Sequence, residues 1–265
     1  MLAAIHWSVV WDRIAHPDHV FARALWTTVY IAVAAQFFGV VLGLFSALMR
    51  MSKIWPLKLV SNAYILVFRG TPVVVQIFFI YYGTFYLLGG VNLFPVSVNL
   101  GLFHMSGAAL AGIVALAINE GAYMSEIIRA GIDAIDKGQM EAARSLGMTH
   151  ALGMRRIVLP QAARVIVPPL GNEFNNMLKT TSLLAFIGVY ELFEDADIHY
   201  SATFLPAEYF MAVAFWYLVL TTVWSLIQAQ IERKLAASER GEEVGFWERV
   251  REAWAPSAAW VRGAR

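Results

Sequence analysis

The chain has 265 residues, of which 59% are hydrophobic and only 15% are charged, and its mean hydropathy is +0.59. Soluble domains contain about 45–50% apolar and about 25% charged residues, so this composition indicates an integral membrane protein with room for five or six spans of about 20 residues each. The net charge of +1 argues against a nucleic-acid partner, and the absence of cysteine excludes disulfides, thiolate metal sites and thiol nucleophiles.

The N-terminal part of the sequence predicts an interfacial segment followed by a first membrane span. Residues 1–21 contain two tryptophans among charged residues. No basic region precedes a long apolar core, so we predict a segment lying at the membrane interface and no cleaved signal peptide. The first span is predicted over 22–49, where Gly39 and Gly43 permit close packing of another helix.

Four further spans are predicted, and prolines interrupt two of them. The second span must kink or break at Pro72, and the fourth is predicted to kink at Pro168 and Pro169, because proline removes a backbone donor and clashes with the preceding turn. The segments 89–104 and 190–207 contain no Lys or Arg and are predicted as loops. The four spans cover about 59–88, 106–130, 162–189 and 208–231.

The distribution of basic residues predicts the orientation of these spans. Of the 20 Lys and Arg residues, three lie in 50–58, six in 129–164 and seven from residue 233 onward, which places 16 of them on alternate connections. By the positive-inside rule these connections face the cytoplasm and the N-terminus lies outside. Five spans satisfy this arrangement.

These elements divide the chain into three parts. We predict an N-terminal interfacial segment at 1–21, a transmembrane domain at 22–235 and a cytoplasmic tail at 236–265. The tail has one apolar stripe with three- and four-residue steps, at Val244, Trp247, Val250 and Trp254. This stripe indicates either a helix on the cytoplasmic membrane surface or a solvated tail.

The polar segment between spans three and four carries the most informative motif. By pattern alone, its alanine face followed by a glycine predicts either a plain connecting hairpin or a short helix that docks closely and then turns. It reads Glu141-Ala142-Ala143, three residues, Gly147, nine residues, Ile157, one residue and Leu159-Pro160. This spacing resembles the cytoplasmic EAA signature of permease subunits of bacterial ATP-binding-cassette (ABC) importers.

Flanking motifs resemble the polar amino-acid branch of that family, the histidine, glutamine and arginine type. The resemblance runs from about Ala24 to about Leu235. The motifs are Phe68-Arg69-Gly70-Thr71-Pro72 with Gln76, Gly121-Ala122-Tyr123 with Glu126 and Arg129, Pro168-Pro169-Leu170-Gly171-Asn172, and Leu178-Lys179-Thr180-Thr181-Ser182-Leu183.

The resemblance implies an all-α integral membrane fold with about five transmembrane helices and a cytoplasmic coupling helix between spans three and four. It implies a multi-pass subunit of the bacterial plasma (inner) membrane that pairs with an identical or homologous permease. Two ATPase subunits and an extracytoplasmic amino-acid-binding protein complete the implied complex. ATP and Mg would sit on the ATPase subunits, because this chain has no Gly-Lys dipeptide and cannot form a Walker A loop.

The implied function is import of polar L-amino acids, without a catalytic site in this chain. The signature helix would insert into a groove on an ATPase subunit, the glycine would permit the turn, and the last three residues would tie the segment back to the bundle. The ATPase-coupling residues are thus Glu141, Ala142, Ala143, Gly147, Ile157, Leu159 and Pro160. The rival functions are an ion-coupled secondary transporter that needs no ATPase and a membrane-embedded enzyme or assembly factor. Missing nucleophile and metal motifs argue against the second.

Ionisable residues inside a span are costly, so they usually face a partner or a water-filled cavity. Glu120 departs from the family, which often has a small or hydroxyl residue there. It either lines the translocation pathway and binds an ammonium or cationic side chain of the cargo, or forms an internal ion pair with Arg69 or Lys179. The predicted substrate-pathway residues are Glu120, Asn119, Tyr123, Gln76, Thr181 and Ser182.

Other charged residues are assigned structural or docking roles. Structural ion pairs are predicted for Arg69, Glu126, Arg129 and Lys179, and no metal site is predicted. The acidic segment at 191–197 is a predicted contact for the binding protein. The sequence leaves open which amino acid is transported and whether the second permease is identical.

Overall fold

The computed structural model describes residues 5–99 and 104–240, which are mostly helical. The helices are α1 Trp7–Ala15, α2 His19–Met51, α3 Trp55–Gly70, α4 Val73–Phe78, α5 Thr84–Leu87, α6 Gly107–Asp133, α7 Lys137–Ser145, α8 His150–Gly153, α9 Leu159–Thr180, α10 Leu192–Thr203 and α11 Pro206–Arg240. π-Helical turns cover Phe79–Gly83 and Met154–Val158, and a 3-10 helix covers Thr181–Ile187. A short antiparallel hairpin pairs β1 Ser97–Asn99 with β2 His104–Ser106.

Within the described residues, three helices are long and apolar enough to cross a membrane: α2, α6 and the Pro206–Ala236 part of α11. The bent pair Trp55–Gly70 and Val73–Leu87 meets the same condition when taken together. These four segments coincide with predicted spans one, three, five and two. The fourth predicted span falls on α9, which does not meet this condition and which carries Arg164, Glu173 and Lys179. The count of five spans therefore stays a prediction.

The predicted break at Pro72 is present. α3 ends at Gly70, and Thr71 takes an extended conformation, with φ −119° and ψ 150°, because a following proline disfavours the helical region. α4 then leaves at 109° to α3. In contrast, Pro168 and Pro169 lie inside α9, and the helix continues through both.

Helices α2 and α6 form the centre of the fold and run parallel. Their axes come close because glycines meet at the interface: a Cβ atom on Gly39 would lie 2.6 Å from Glu120 Cγ, and one on Gly121 would lie 2.9 Å from Leu42 Cβ. The prediction that Gly39 permits close packing is confirmed. The main core packs around this pair and includes Ile31, Ala32, Ala35, Ile77, Leu116, Met177 and Leu184.

The segment 190–207 was predicted as a loop, and this prediction is wrong: it contains α10. Glu191 caps the helix, since its carboxylate accepts hydrogen bonds from the backbone N–H groups of Phe193 at 2.8 Å and Glu194 at 3.0 Å. Acidic residues in a first helical turn also favour helix formation through the helix dipole. The run of carboxylates is therefore a helix start, and Phe204 ends the helix in the left-handed conformation at φ 58°.

The ends of the chain differ in how much the structure describes. α1 packs against α11, where His6 N–H donates to Glu208 Oε1 at 2.9 Å and Trp216 Nε1 donates to Arg13 O at 3.4 Å. The predicted loop at 89–104 contains the β1 strand and the start of β2. The tail stripe predicted at 244–254 lies outside the described residues.

Candidate functional site

The signature segment folds as a compact helical hairpin. Asp136 caps the start of helix α7, since its carboxylate accepts from Gly138 N–H at 2.6 Å, and Gly147, with φ +77°, turns the chain after the helix end. Gly147 N–H donates to Arg144 O at 2.9 Å, and the next N–H donates to Ala143 O at 3.0 Å. This left-handed cap needs glycine, because a Cβ atom is strained at that φ.

One face of α7 packs on α8 and the other is exposed. Ala143 is buried, and a Cβ atom on Gly153 would lie 3.4 Å from the Ala143 Cβ. Glu141 and Ala142 are exposed on the outer side of this hairpin. The two alanines therefore face different sides of α7: Ala143 packs against α8, and Ala142 is exposed beside Glu141.

The segment from the π-helical turn to the start of α9 leads from α8 back to the bundle. Ile157 is half-buried, but Leu159 and Pro160 are exposed, and Val158 makes the buried contact. Pro160 lies in the first turn of α9, which follows directly after the π-helical turn at Met154–Val158. The buried contact of this segment is therefore made by Val158, and the role of Leu159 and Pro160 in tying the segment to the bundle stays a prediction.

Gln76 and Asn119 close the break between α3 and α4. Gln76 Nε2 donates to Phe68 O at 2.9 Å, Thr71 O at 3.1 Å and Thr71 Oγ1 at 2.8 Å. Asn119 Nδ2 donates to Phe68 O at 3.0 Å and to Gln76 Oε1 at 2.9 Å. Backbone carbonyls released by a break must find donors in a membrane. These two predicted pathway residues are therefore engaged in bracing the broken helix.

Glu120 is buried between α2 and α6, with 4% of its surface exposed. Gln36 Nε2 donates to Glu120 Oε1 at 2.9 Å, and Gln36 Oε1 is buried without a partner. Among the described residues Glu120 makes no ion pair, so the internal pair with Arg69 or Lys179 is wrong. In this conformation the carboxylate faces α2 and no open space.

Three arginine side chains form ion pairs with Glu126. This residue lies near the C-terminal end of α6, which leads to the signature segment. Arg50 Nη1 contacts Glu126 Oε1, Arg69 Nη1 lies 3.5 Å from the same oxygen, and Arg129 Nη2 lies 3.2 Å from Glu126 Oε2. Arg69 also lies over the Tyr123 ring, 5.1 Å from its centroid. This cluster joins α2, α3 and α6 at one level of the bundle.

We expect Glu126→Gln to lower the free energy of unfolding by about 1–2 kcal/mol, because three guanidinium groups lose their shared counter-charge in a partly exposed site. The thermal unfolding midpoint of the detergent-purified protein measures this. Asp133→Asn is the matched control, because the one ion pair of Asp133 with the described residues is to Arg129, at 2.8 Å, and its side chain is 56% exposed. Equal shifts for both variants would show that the arginine cluster does not depend on Glu126.

Thr181 and Ser182 turn their hydroxyls back to the end of α9. Thr181 Oγ1 donates to Leu178 O at 2.9 Å, and Ser182 Oγ donates to Lys179 O at 2.7 Å. Lys179 makes no ion pair with the described residues, contrary to prediction. Its side chain lines two adjoining cavities between α9 and α11, of about 340 and 500 Å³, the second of which also includes Asn175 and Ser225.

The acidic segment predicted to meet a binding protein is partly internal. Glu191 is fully buried, and its carboxylate accepts from Tyr217 OH at 2.7 Å in addition to the α10 cap. Burial raises the pKa of Glu191 to about 7, although the hydrogen bonds oppose this rise. Asp195 is also buried and accepts a hydrogen bond from Tyr190. Glu194 and Asp197 are half-buried, so only they retain surface for a partner.

Sequence reasoning missed the partners of these charged groups. Gln36 binds Glu120, Arg50 binds Glu126, and Tyr217 binds Glu191. The sequence signal for the Gln36 contact was its spacing from Gly39 and the following small residues of α2. This spacing places the Gln36 amide on the helix face that carries the glycines and packs against α6.

Together, long apolar helices, a broken second segment braced by amides and an exposed Glu-Ala-Ala helix between spans define a multi-pass membrane transport subunit. The chain belongs to the family of binding-protein-dependent transport system inner membrane components, whose sequence model matches residues 39–237. It is accordingly a permease subunit of the inner membrane.

Comparison with individual proteins gives the same result. The chain is 37% identical over 233 residues to the probable amino-acid permease YxeN of Bacillus subtilis, covering 88% of this chain and 99% of that protein. It is 41% identical over 224 residues to the arginine transport permease ArgU of Corynebacterium glutamicum, covering 82% and 68%. A crystal structure of an amino acid ABC transporter with histidines matches with 42% identity and a TM-score of 0.73, covering 88% and 100%. The methionine transporter MetNI, at 19% identity and a TM-score of 0.63, shares the fold.

Proposed function

We propose that this chain is the translocating subunit of an importer of polar L-amino acids, powered by ATP that separate subunits hydrolyse. The supporting observation is the exposed face of α7, with Glu141 and Ala142 held in a rigid hairpin between two spans. The names of the relatives YxeN and ArgU support an amino acid as cargo. We further propose two ATPase subunits that hold ATP and Mg, a second permease and an extracytoplasmic binding protein, with no cofactor in this chain.

The geometry supports a mechanical role for α7. The Asp136 cap and the Gly147 turn fix both ends of this helix, and α8 with the π-helical turn at Met154–Val158 connects it directly to α9. A displacement of α7 by an ATPase subunit would therefore move α9. Since α9 and α11 enclose the cavities beside Lys179, this movement would change access to polar groups at membrane depth.

Reconstitution into liposomes tests this function. Complexes that contain this chain, the ATPase subunits and the binding protein are expected to take up amino acids only when the ATPase subunits and ATP are inside the liposomes and the binding protein is outside. Uptake by the isolated chain with an ion gradient and no ATPase would contradict the proposal and support an ion-coupled secondary transporter.

We also propose that Glu120 contributes to the pathway when α2 and α6 separate during transport. Its carboxylate has a single described hydrogen bond, from Gln36, and no cation beside it, so it can accept the ammonium or a cationic side chain of the cargo.

Glu120→Gln is expected to lower the apparent affinity for cationic amino acids by about tenfold or more, because a hydrogen bond to a charged group contributes about 1.5–3 kcal/mol. Uptake by the reconstituted complex measures the effect, and the assembly of the complex should be unchanged because the amide keeps the Gln36 contact. Unchanged uptake of every amino acid tested would leave Glu120 with a packing role only.

A further inference from the structure

A cavity of about 680 Å³ lies at the end of the bundle opposite the signature hairpin. The first turns of α2 form one wall, the start of α6 forms the second, and the connection from the 3-10 helix to α10 forms the third. With the predicted orientation, this is the extracytoplasmic side of the membrane. The lining residues used below are His19, Arg23, Trp26, Tyr30, Ala109 and Val189.

A basic and aromatic stripe of α2 faces this cavity. His19, Arg23, Trp26 and Tyr30 follow one another at three- and four-residue steps, so they share a helix face. Arg23 is exposed and forms no ion pair with any residue that the structure describes. At 1.5 Å rise per residue, Arg23 lies about 6 Å and Tyr30 about 16 Å along α2 from His19. The cation thus stands at the membrane surface and the aromatic rings stand deeper.

None of the described residues that line this cavity carries a carboxylate. Of the nearby acids, Asp18 lies 3.7 Å from Arg13, and Asp195 accepts a hydrogen bond from Tyr190. A free amino acid bound there would leave its ammonium group without a counter-charge. A ligand with a negatively charged head group and an apolar body would fit this cavity. Its head group would face Arg23, and its apolar body would lie against the deeper wall of Tyr30, Ala109 and Val189.

We propose that this cavity binds an anionic phospholipid of the extracytoplasmic leaflet. The phosphate would accept hydrogen bonds from the Arg23 guanidinium, which matches phosphate geometry through paired N–H donors. The upper acyl chain would pack on Trp26, which is 62% exposed in the isolated chain, and reach the Tyr30 level. The site is independent of the cargo and of the ATPase.

Lipid retention by the full detergent-purified complex tests this proposal. The probes are palmitoyl-oleoyl phosphatidylglycerol and the zwitterionic phosphatidylethanolamine with the same chains, and native mass spectrometry counts the bound copies. We expect phosphatidylglycerol to be retained preferentially and Arg23→Gln to reduce its affinity about tenfold, as for loss of one charge-assisted contact. Trp26→Ala should reduce the retention of both lipids.

Lys53→Gln is the matched control, because it removes an exposed cation at the opposite end of α2. Equal retention of phosphatidylglycerol by the Arg23 and Lys53 variants would overturn the proposal. Displacement of the lipid by inorganic phosphate would show that a free anion is the ligand, and displacement by the binding protein would assign the surface to docking. Either result also overturns it. Unchanged thermal unfolding midpoints show that each variant is folded.

Discussion

Reversing the charge of Glu141 is expected to separate this permease from its ATPase subunits. Glu141 is exposed on α7, and its side chain makes no contact within the described chain that folding would need. A lysine there would oppose whatever cation receives the carboxylate, and like-charge juxtaposition at an interface costs several kcal/mol. Glu141→Lys should therefore weaken binding at least about 100-fold and abolish ATP-driven uptake.

Co-purification measures this loss directly. A tagged permease is purified in detergent, and the amount of a subunit bearing a Walker A motif is compared between wild type and variant. Gln139→Lys serves as the control, because it introduces a lysine on a different face of α7, where Gln139 contacts Gln161 at 3.4 Å. Full recovery of the ATPase with Glu141→Lys, together with normal uptake, would show that α7 is not the coupling surface.

Gly43→Val is expected to destabilise the whole fold. A Cβ atom at Gly43 would collide with the Cβ of Met124 and would lie 3.0 Å from the Gly121 carbonyl oxygen. Both neighbours belong to α6 at positions that cannot move alone, because Met124 is fully buried and the oxygen is part of the helix backbone. Overpacking of a close-packed core costs about 1–3 kcal/mol, and a β-branched side chain adds two further methyl groups.

The thermal unfolding midpoint and the yield of monodisperse protein should both fall for this variant. Gly70→Val provides the comparison, since no atom lies within 4 Å of a Cβ built at Gly70. A variant at Gly43 that unfolds at the wild-type temperature would mean that α2 and α6 can separate without loss of stability. We propose that the same separation of α2 and α6 exposes Glu120 during transport. The stability of the Gly43 variant and the transport effect of Glu120→Gln therefore have to be interpreted together.

The local parts of the fold were predictable because their signals are local. Apolar runs of membrane length predicted α2, α6 and α11, and Pro72 predicted the break in the second span. Gly147 predicted the turn that ends α7, since few residues other than glycine take a positive φ. The helix α10 was missed because its carboxylates resemble a solvated loop until Glu191 is seen to cap the helix.

The sequence by itself determined that this protein is a membrane permease subunit with a signature helix between two spans, because hydrophobic length, charge asymmetry and motif spacing are properties of the chain order. Only the tertiary structure decided which distant polar groups meet: Gln36 with Glu120, Arg50 with Glu126, and Tyr217 with Glu191. These partners lie 84, 76 and 26 positions apart. The angle of α4 and the packing of α2 on α6 set such pairings, and neither is encoded in any single stretch of sequence.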